Sequence, residues 1–112
     1  MNKVKEFFDR EQNLLIHIIA TIIVVIFGIV FSLKLEEWIV IILMIGLVVA
    51  SELFNSAIEL TVDMYTTKFN SLAMVAKDTA AAAVVISAFT AACVGIYIFL
   101  PKFIEIIKGC LW

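Results

Sequence analysis

Residues 14–33 read LLIHIIATIIVVIFGIVFSL, a run of twenty residues without a formal charge at neutral pH. A helix of that length rises about 30 Å, which matches the hydrocarbon core of a bilayer. His17, near one end of the run, is its only titratable group, and a lone histidine there is most often just hydrogen-bonded near the interface. The sequence therefore predicts a transmembrane helix over 14–33, and this prediction decides the class of fold.

Two further apolar segments have a similar length. One runs from 38 to about 58, and the other from 79 to 100, where Pro101 follows. The chain is 64% hydrophobic over 112 residues, and its mean hydropathy of +1.15 is too high for a small soluble domain. We predict an all-α membrane protein, a single domain over 1–112 with three transmembrane helices. The acidic residues before the first run argue against a cleavable signal peptide.

The segment before the first helix mixes charged and aromatic residues. Residues 3–10 read KVKEFFDR, which predicts a short amphipathic segment on the membrane surface, with a solvated tail as the alternative. With this segment inside, five basic residues fall on the inner side of the membrane and three on the outer side. This asymmetry favours a cytoplasmic N-terminus. The net charge of −2 says little about partners, whereas the absence of a basic cluster argues against a nucleic-acid partner.

Acidic and amide residues recur within the second apolar segment and just beyond it. Glu52, Asn55, Glu59 and Asp63 follow one another at helical spacing, and a turn of about 100° per residue places them on one stripe narrower than about 90°. Ionisable groups in a membrane are costly and usually mark function, with a buried partner. The three carboxylates repel one another unless a divalent metal, a metal–nucleotide complex or a facing basic group lies between them. We name these four residues the acidic stripe and treat it as the candidate site.

A polar connection over 64–78 follows the acidic stripe and ends in Ala76-Lys77-Asp78. Lys77 is a compact cation that suits a phosphate, and Asp78 suits capping of the third helix. By themselves the two would be interfacial anchors. Because they follow the end of the stripe, they become candidate site residues.

Small residues recur along the third apolar segment. An alanine run follows Thr79, and further small residues lie at helical spacing: Ala88, Ala91, Ala92 and Gly95. Such residues let helices approach closely in lipid, so we expect this helix to be central in a bundle. Three short helices enclose so many carboxylates poorly, and we therefore expect a homo-oligomer.

The motif ELFNSAIELTVD at 52–63 resembles the signature of the prokaryotic integral-membrane diacylglycerol kinase family, which includes the undecaprenol kinases of Gram-positive bacteria. The triplet AKD at 76–78, with its alanine run, and EQNLLIH at 11–17 are similar to family elements at matching distances. The resemblance covers residues 9–101. Departures are modest in the motifs: Phe54 replaces an aliphatic residue, and Asn70-Ser71 replaces a frequent His-Pro.

The resemblance implies homotrimers of three-helix protomers with composite active sites at the cytoplasmic face of the bacterial cell membrane. These enzymes transfer the γ-phosphate of ATP, with magnesium, to a membrane lipid hydroxyl. Phosphoryl transfer depends mainly on positioning and charge neutralisation, which a stripe of carboxylates with a bound cation can supply. EQNLLIH and the predicted turn LEEW at 35–38 look more like the Gram-positive branch, so undecaprenol is favoured as acceptor and diacylglycerol comes second.

The resemblance also implies roles for particular residues. Glu52 would be the general base and would contact the lipid hydroxyl. Glu59 and Glu11 would bind magnesium and the ATP phosphates, while Lys77 and Asp78 would contact the nucleotide. Two other members of the acidic stripe would orient and brace the site: Asn55 and Asp63.

Two other classes of function stay open on the sequence. A small proton-coupled transporter would need a mid-membrane carboxylate that opens to both sides, whereas the acidic stripe runs toward one face. An inactive relative or a non-catalytic assembly subunit would use the stripe only for packing. Replacement of Glu52 by glutamine separates these, since a kinase should stay folded and lose activity while an assembly subunit should fail to assemble.

Overall fold

The computed structural model describes residues 12–111, which fold into three α-helices. Helix α1 spans Gln12–Val30, α2 spans Leu35–Tyr65 and α3 spans Ser71–Leu111. Each is long and apolar enough to cross a membrane, and no strand occurs within the described range. The prediction of an all-α membrane protein with three membrane-length helices is confirmed. The predicted amphipathic segment at 3–10 lies outside the described residues.

The connection between α2 and α3 is much shorter than predicted, because only residues 66–70 separate the two helices. Asn70 starts α3 early: its Oδ1 accepts hydrogen bonds from the backbone N–H groups of Leu72 and Ala73, each at 3.0 Å. Such a cap satisfies donors that otherwise have no partner in the first turn. The prediction of a loop over 64–78 is wrong, and Asp78 lies about two turns inside α3 rather than at a capping position.

Helix α3 also continues past Pro101 as far as Leu111, beyond the predicted span at 79–100. Proline removes one intrahelical hydrogen bond, so contacts elsewhere must hold the continuation in place. Nζ of Lys102 lies 3.1 Å from a carboxylate oxygen of Glu37 at the start of α2. The ring of Phe103 packs edge-on against Phe31, with centroids 5.7 Å apart. These contacts attach the first turn of α3 after Pro101 to the α1–α2 connection and the start of α2.

The turn between α1 and α2 is tight and depends on a glycine. Ser32 has a positive φ of 53°, and the N–H of Leu33 donates to the carbonyl of Gly28 at 3.2 Å. A Cβ on Gly28 would lie 2.6 Å from Cη2 of Trp38, so the indole ring occupies the space that a side chain would need. The LEEW segment predicted as a turn forms the first turn of α2, while α1 ends at Val30 instead of residue 33.

Helix α2 is the central helix of the described chain, since it packs against both α1 and α3. The expectation that α3 would be central is wrong for the single chain. A small core forms around Leu33, Ile41 and Ile98, with Trp38 and Phe99 packed against it. Most other large apolar side chains are exposed, as expected for helices that face lipid or other helices.

Candidate functional site

The acidic stripe of α2 passes from buried to exposed along the helix. Glu52 is 1% exposed and Asn55 is 6% exposed, whereas Glu59 is half-buried and the side chain of Asp63 is 44% exposed. Each step is about one helical turn. The stripe therefore leads from one end of α2 to a carboxylate enclosed between helices, which is a one-sided path.

Glu52 faces a histidine from α1. Nε2 of His17 lies 3.6 Å from Oε2 of Glu52, and the histidine side chain is 22% exposed. A carboxylate at this depth requires polar partners, and an imidazole supplies one. Ser56, one turn further along α2, is also buried, and its hydroxyl donates to the backbone carbonyl of Glu52 at 3.1 Å. The structure thus places Glu52, the predicted base, in a polar position inside the helix bundle.

His17 is the functional candidate that the sequence analysis missed. A lone histidine near a helix end gave no reason to pair it with a residue 35 positions away. Two signals pointed to it: its place in the EQNLLIH element, and the requirement that a basic group face the carboxylates of the stripe. Neither signal defines which carboxylate it meets, because that depends on how α1 packs against α2.

Asn55 and Glu59 form the middle of the stripe. Nδ2 of Asn55 donates to Oε1 of Glu59 at 3.4 Å. Oδ1 of Asn55 is buried and has no hydrogen-bond partner among the described residues. Buried acceptors are rarely left without a donor or a cation, so this oxygen is suited to a ligand.

The oxygen atoms of Asn55 and Glu59 fit magnesium in their chemistry, because Mg²⁺ prefers carboxylate and carbonyl oxygens. Within residues 12–111, no group of three or more His, Cys, Asp or Glu side chains forms a complete metal site. Glu11, the other predicted ligand, lies outside the described residues. A partial protein set is compatible with magnesium, which is usually held by one or two carboxylates together with substrate phosphates and water.

Asp63 joins α2 to α3 at the exposed end of the stripe. Nζ of Lys77 donates to Oδ1 of Asp63 at 2.6 Å, and both side chains are more than one-third exposed. A pair this open contributes at most about 1 kcal/mol to stability, so its main effect is to fix Lys77 beside the stripe. Asp78 follows it on α3 and is exposed.

The three carboxylates of the stripe differ in their partners. Glu52 faces His17 and Asp63 faces Lys77, so the expected facing basic groups are present on α1 and α3. Glu59 lies between them along α2, and its partner within the described part of the chain is the neutral amide of Asn55. Of the three, Glu59 is therefore the carboxylate best placed to bind an added cation.

Comparisons with known proteins identify the family of this chain. Residues 1–99 match the family model described as prokaryotic diacylglycerol kinase, a range that contains every predicted site residue. The chain is also 45% identical over 92 residues to the undecaprenol kinase of Bacillus subtilis (strain 168), which covers 82% of this chain and 75% of that protein. No solved structure matches the chain.

Proposed function

Because the chain belongs to the prokaryotic diacylglycerol kinase family and is a lipid kinase, we propose that it transfers the γ-phosphate of ATP to the hydroxyl of undecaprenol. The 45% identity to an undecaprenol kinase supports this acceptor. Diacylglycerol, which gives the family its description, is the second candidate. The acceptor hydroxyl would be phosphorylated at the cytoplasmic face of the bacterial cell membrane.

Glu52 is the general base in this proposal. The acceptor oxygen attacks the γ-phosphorus while its proton passes to a carboxylate oxygen of Glu52. The bond from the γ-phosphorus to the bridging oxygen breaks, and ADP leaves. The burial of Glu52 between membrane-length helices, at 1% exposure, is the single observation that carries the assignment, because an ionisable group enclosed in this setting is costly and usually serves a function.

His17 orients the base. With Nε2 at 3.6 Å from Oε2 of Glu52, the imidazole can hold the carboxylate in one rotamer. Since His17 lies on α1 and Glu52 on α2, the pair also couples the position of the base to the packing of the two helices.

Magnesium and nucleotide would bind toward the exposed end of the stripe. Glu59 and Glu11 would hold the metal, with the Asn55 oxygen beside it. When bound, magnesium neutralises negative charge on the transferred phosphate and the leaving group. Lys77 would add positive charge at the phosphates, Asp63 would position that lysine, and Asp78 would contact the nucleotide.

A homotrimer with composite sites would complete the enclosure. The stripe is covered at Glu52 but open toward Asp63, so a second protomer at the open side would shield the phosphates from bulk water. The burial gradient also argues against a transporter, because alternating access would require Glu52 to open toward both faces.

The test measures phosphate transfer from radiolabelled ATP in mixed micelles, with undecaprenol and diacylglycerol offered separately. Glu52→Gln is compared with Glu36→Gln, a matched change at an exposed residue near the start of the same helix. We expect undecaprenol to be labelled faster, and only Glu52→Gln to lose activity, by about 100-fold or more. Equal labelling by Glu52→Gln and wild type would remove the proposed base, and faster labelling of diacylglycerol would replace the acceptor.

A further inference from the structure

A long apolar groove runs between α1 and α3, with α2 as its floor. Its volume is about 520 Å³, within the range of small-molecule sites in proteins. It exists because α2 packs against both neighbours while the backbones of α1 and α3 make no close contact with each other in the described chain. Ala88, Ala92 and Gly95 form part of the α3 wall, where small side chains leave the space open.

One end of the groove lies next to the proposed base, with His17 between them. His17 lines the groove and also contacts Glu52. The other polar residue of the lining is Thr21, whose hydroxyl already donates to the carbonyl of His17 at 2.7 Å. Beyond this end the lining is apolar, so it offers no partners to a polar occupant. Hydrocarbon needs none.

The groove is longer than one leaflet of the membrane. The ion pairs Asp63–Lys77 and Glu37–Lys102 align the antiparallel helices α2 and α3, and counting between the pairs places Ala88 level with Glu52. The lining continues along α3 from Ala88 to Phe103, which is about 22 Å of helix. Half of the hydrocarbon core is about 15 Å.

Aromatic rings lie at the far end of the groove. Phe31 packs against Phe99 and Phe103, with ring centroids 6.0 and 5.7 Å apart, and both partners also line the groove. The groove is thus polar at the end where His17 contacts Glu52 and aromatic at the other end, so a chain that starts at Glu52 has a defined direction.

We propose that this groove binds the isoprenoid chain of the acceptor and that its small-residue wall makes the enzyme selective for long single chains. The proposal rests on the proposed function, because it needs the acceptor hydroxyl to lie at Glu52. Because the groove extends past the bilayer midplane, a chain longer than one leaflet makes more contact with it than a shorter chain does. A polyprenol has such a long chain. A diacylglycerol divides its hydrocarbon between two shorter chains, of which the groove would hold one.

Gly95→Leu tests the groove, with Gly46→Leu as its matched control. A Cβ at either glycine has no atom within 4 Å, but Gly95 lines the groove while Gly46 does not. Gly95 lies seven residues beyond Ala88 along α3, about 10 Å past the level of Glu52. A leucine there should therefore obstruct a long chain and spare a short one.

Labelling by each variant is measured with geraniol, farnesol and undecaprenol. For Gly95→Leu, we expect kcat/KM relative to wild type to fall with chain length, to about one-tenth with undecaprenol, while geraniol is nearly unaffected. Gly46→Leu should match wild type with every acceptor. A loss that is the same at all lengths, or no loss, would overturn the groove assignment.

Two further measurements separate the causes of failure. If Gly95→Leu alone changes the oligomeric state in detergent, the groove holds a second copy of the chain and the proposal is wrong. If wild type labels no prenol and Glu52→Gln behaves identically, the proposed function fails and the groove assignment falls with it. If Glu52→Gln abolishes labelling but the length dependence is absent, only the groove assignment fails.

Discussion

The two side-chain pairs of the acidic stripe have opposite settings. His17 and Glu52 meet between α1 and α2, with the carboxylate almost fully enclosed. Lys77 and Asp63 meet between α2 and α3, where both side chains are substantially exposed. Burying the carboxylate of Glu52 costs free energy, so stability alone does not explain its position. The exposed pair of Lys77 and Asp63 costs little free energy and adds little stability. The difference is consistent with the proposed division of roles, in which the buried end of the stripe takes the proton of the lipid hydroxyl and the exposed end binds the charged nucleotide.

The largest effect should come from exchanging the carboxylates at the two ends for amides. Glu52→Gln removes the proton acceptor, so kcat should fall by about 100-fold or more, while Asp63→Asn should cost less than about tenfold because it only loosens Lys77. Steady-state kinetics on both variants measure the ratio. Similar losses for the two would show that the ends of the stripe do not divide the work in this way.

The next largest effect should come from His17→Ala, which should lower kcat by about tenfold. The reason is that Glu52 keeps its chemistry but loses the group that orients it. Because the proposed nucleotide site lies toward the other end of the stripe, KM for ATP should stay near the wild-type value. His17→Gln, which retains a hydrogen-bonding group, should recover part of the rate. A rise in KM for ATP without a change in kcat would instead assign His17 to the nucleotide.

Lys77→Met should show the reverse of the pattern expected for His17→Ala, with the main effect on KM for ATP. Losing one cation beside the phosphates should raise KM for ATP by about tenfold, with a smaller effect on KM for undecaprenol. Lys68→Met, at an exposed lysine in the α2–α3 connection, is the control for a general loss of positive charge on this face. If the two variants behave alike, the electrostatic effect belongs to the surface and not to the site.

The smallest kinetic effect should come from Asn70→Ala. Losing the cap of α3 should destabilise the protein by about 1 kcal/mol, which thermal unfolding in detergent would detect as a lower Tm. Activity below the melting range should change less than twofold, since Asn70 only begins the helix that carries Lys77. Asn70→Asp keeps a capping oxygen and should retain the Tm. A large loss of activity in Asn70→Ala at unchanged Tm would give Asn70 a direct part in nucleotide binding.

The class of fold and the acidic stripe were predictable because both depend on local periodicity. Apolar runs of membrane length predict the three helices, and spacing of three or four residues predicts that Glu52 and its neighbours share a face. The prediction of a loop over 64–78 was wrong, because the side chain of Asn70 caps α3 and decides where that helix begins. The continuation past Pro101 depends on contacts with Glu37 and Phe31, which are distant in sequence.

The candidate site was only partly predictable, because it also depends on contacts between residues that are distant in sequence. The three carboxylates of the stripe predict a facing basic group, and Lys77 follows the exposed end of the stripe in the sequence. Which basic group faces Glu52 depends on the rotation and height of α1 against α2, and no local pattern encodes that. The roles of all the predicted site residues remain predictions, and Glu11 lies outside the described residues.

The position of His17 on the first helix has a consequence for biosynthesis. The ribosome makes α1 before α2, so an imidazole is already in the membrane when the segment carrying Glu52 leaves the translocon. Insertion of that segment alone would place an uncompensated carboxylate in lipid. The partner on α1 should therefore assist insertion of α2 as well as the later chemistry. In a translocation assay with a glycosylation reporter, His17→Ala should lower the fraction of α2 that inserts, and an unchanged fraction would confine the role of His17 to the folded enzyme.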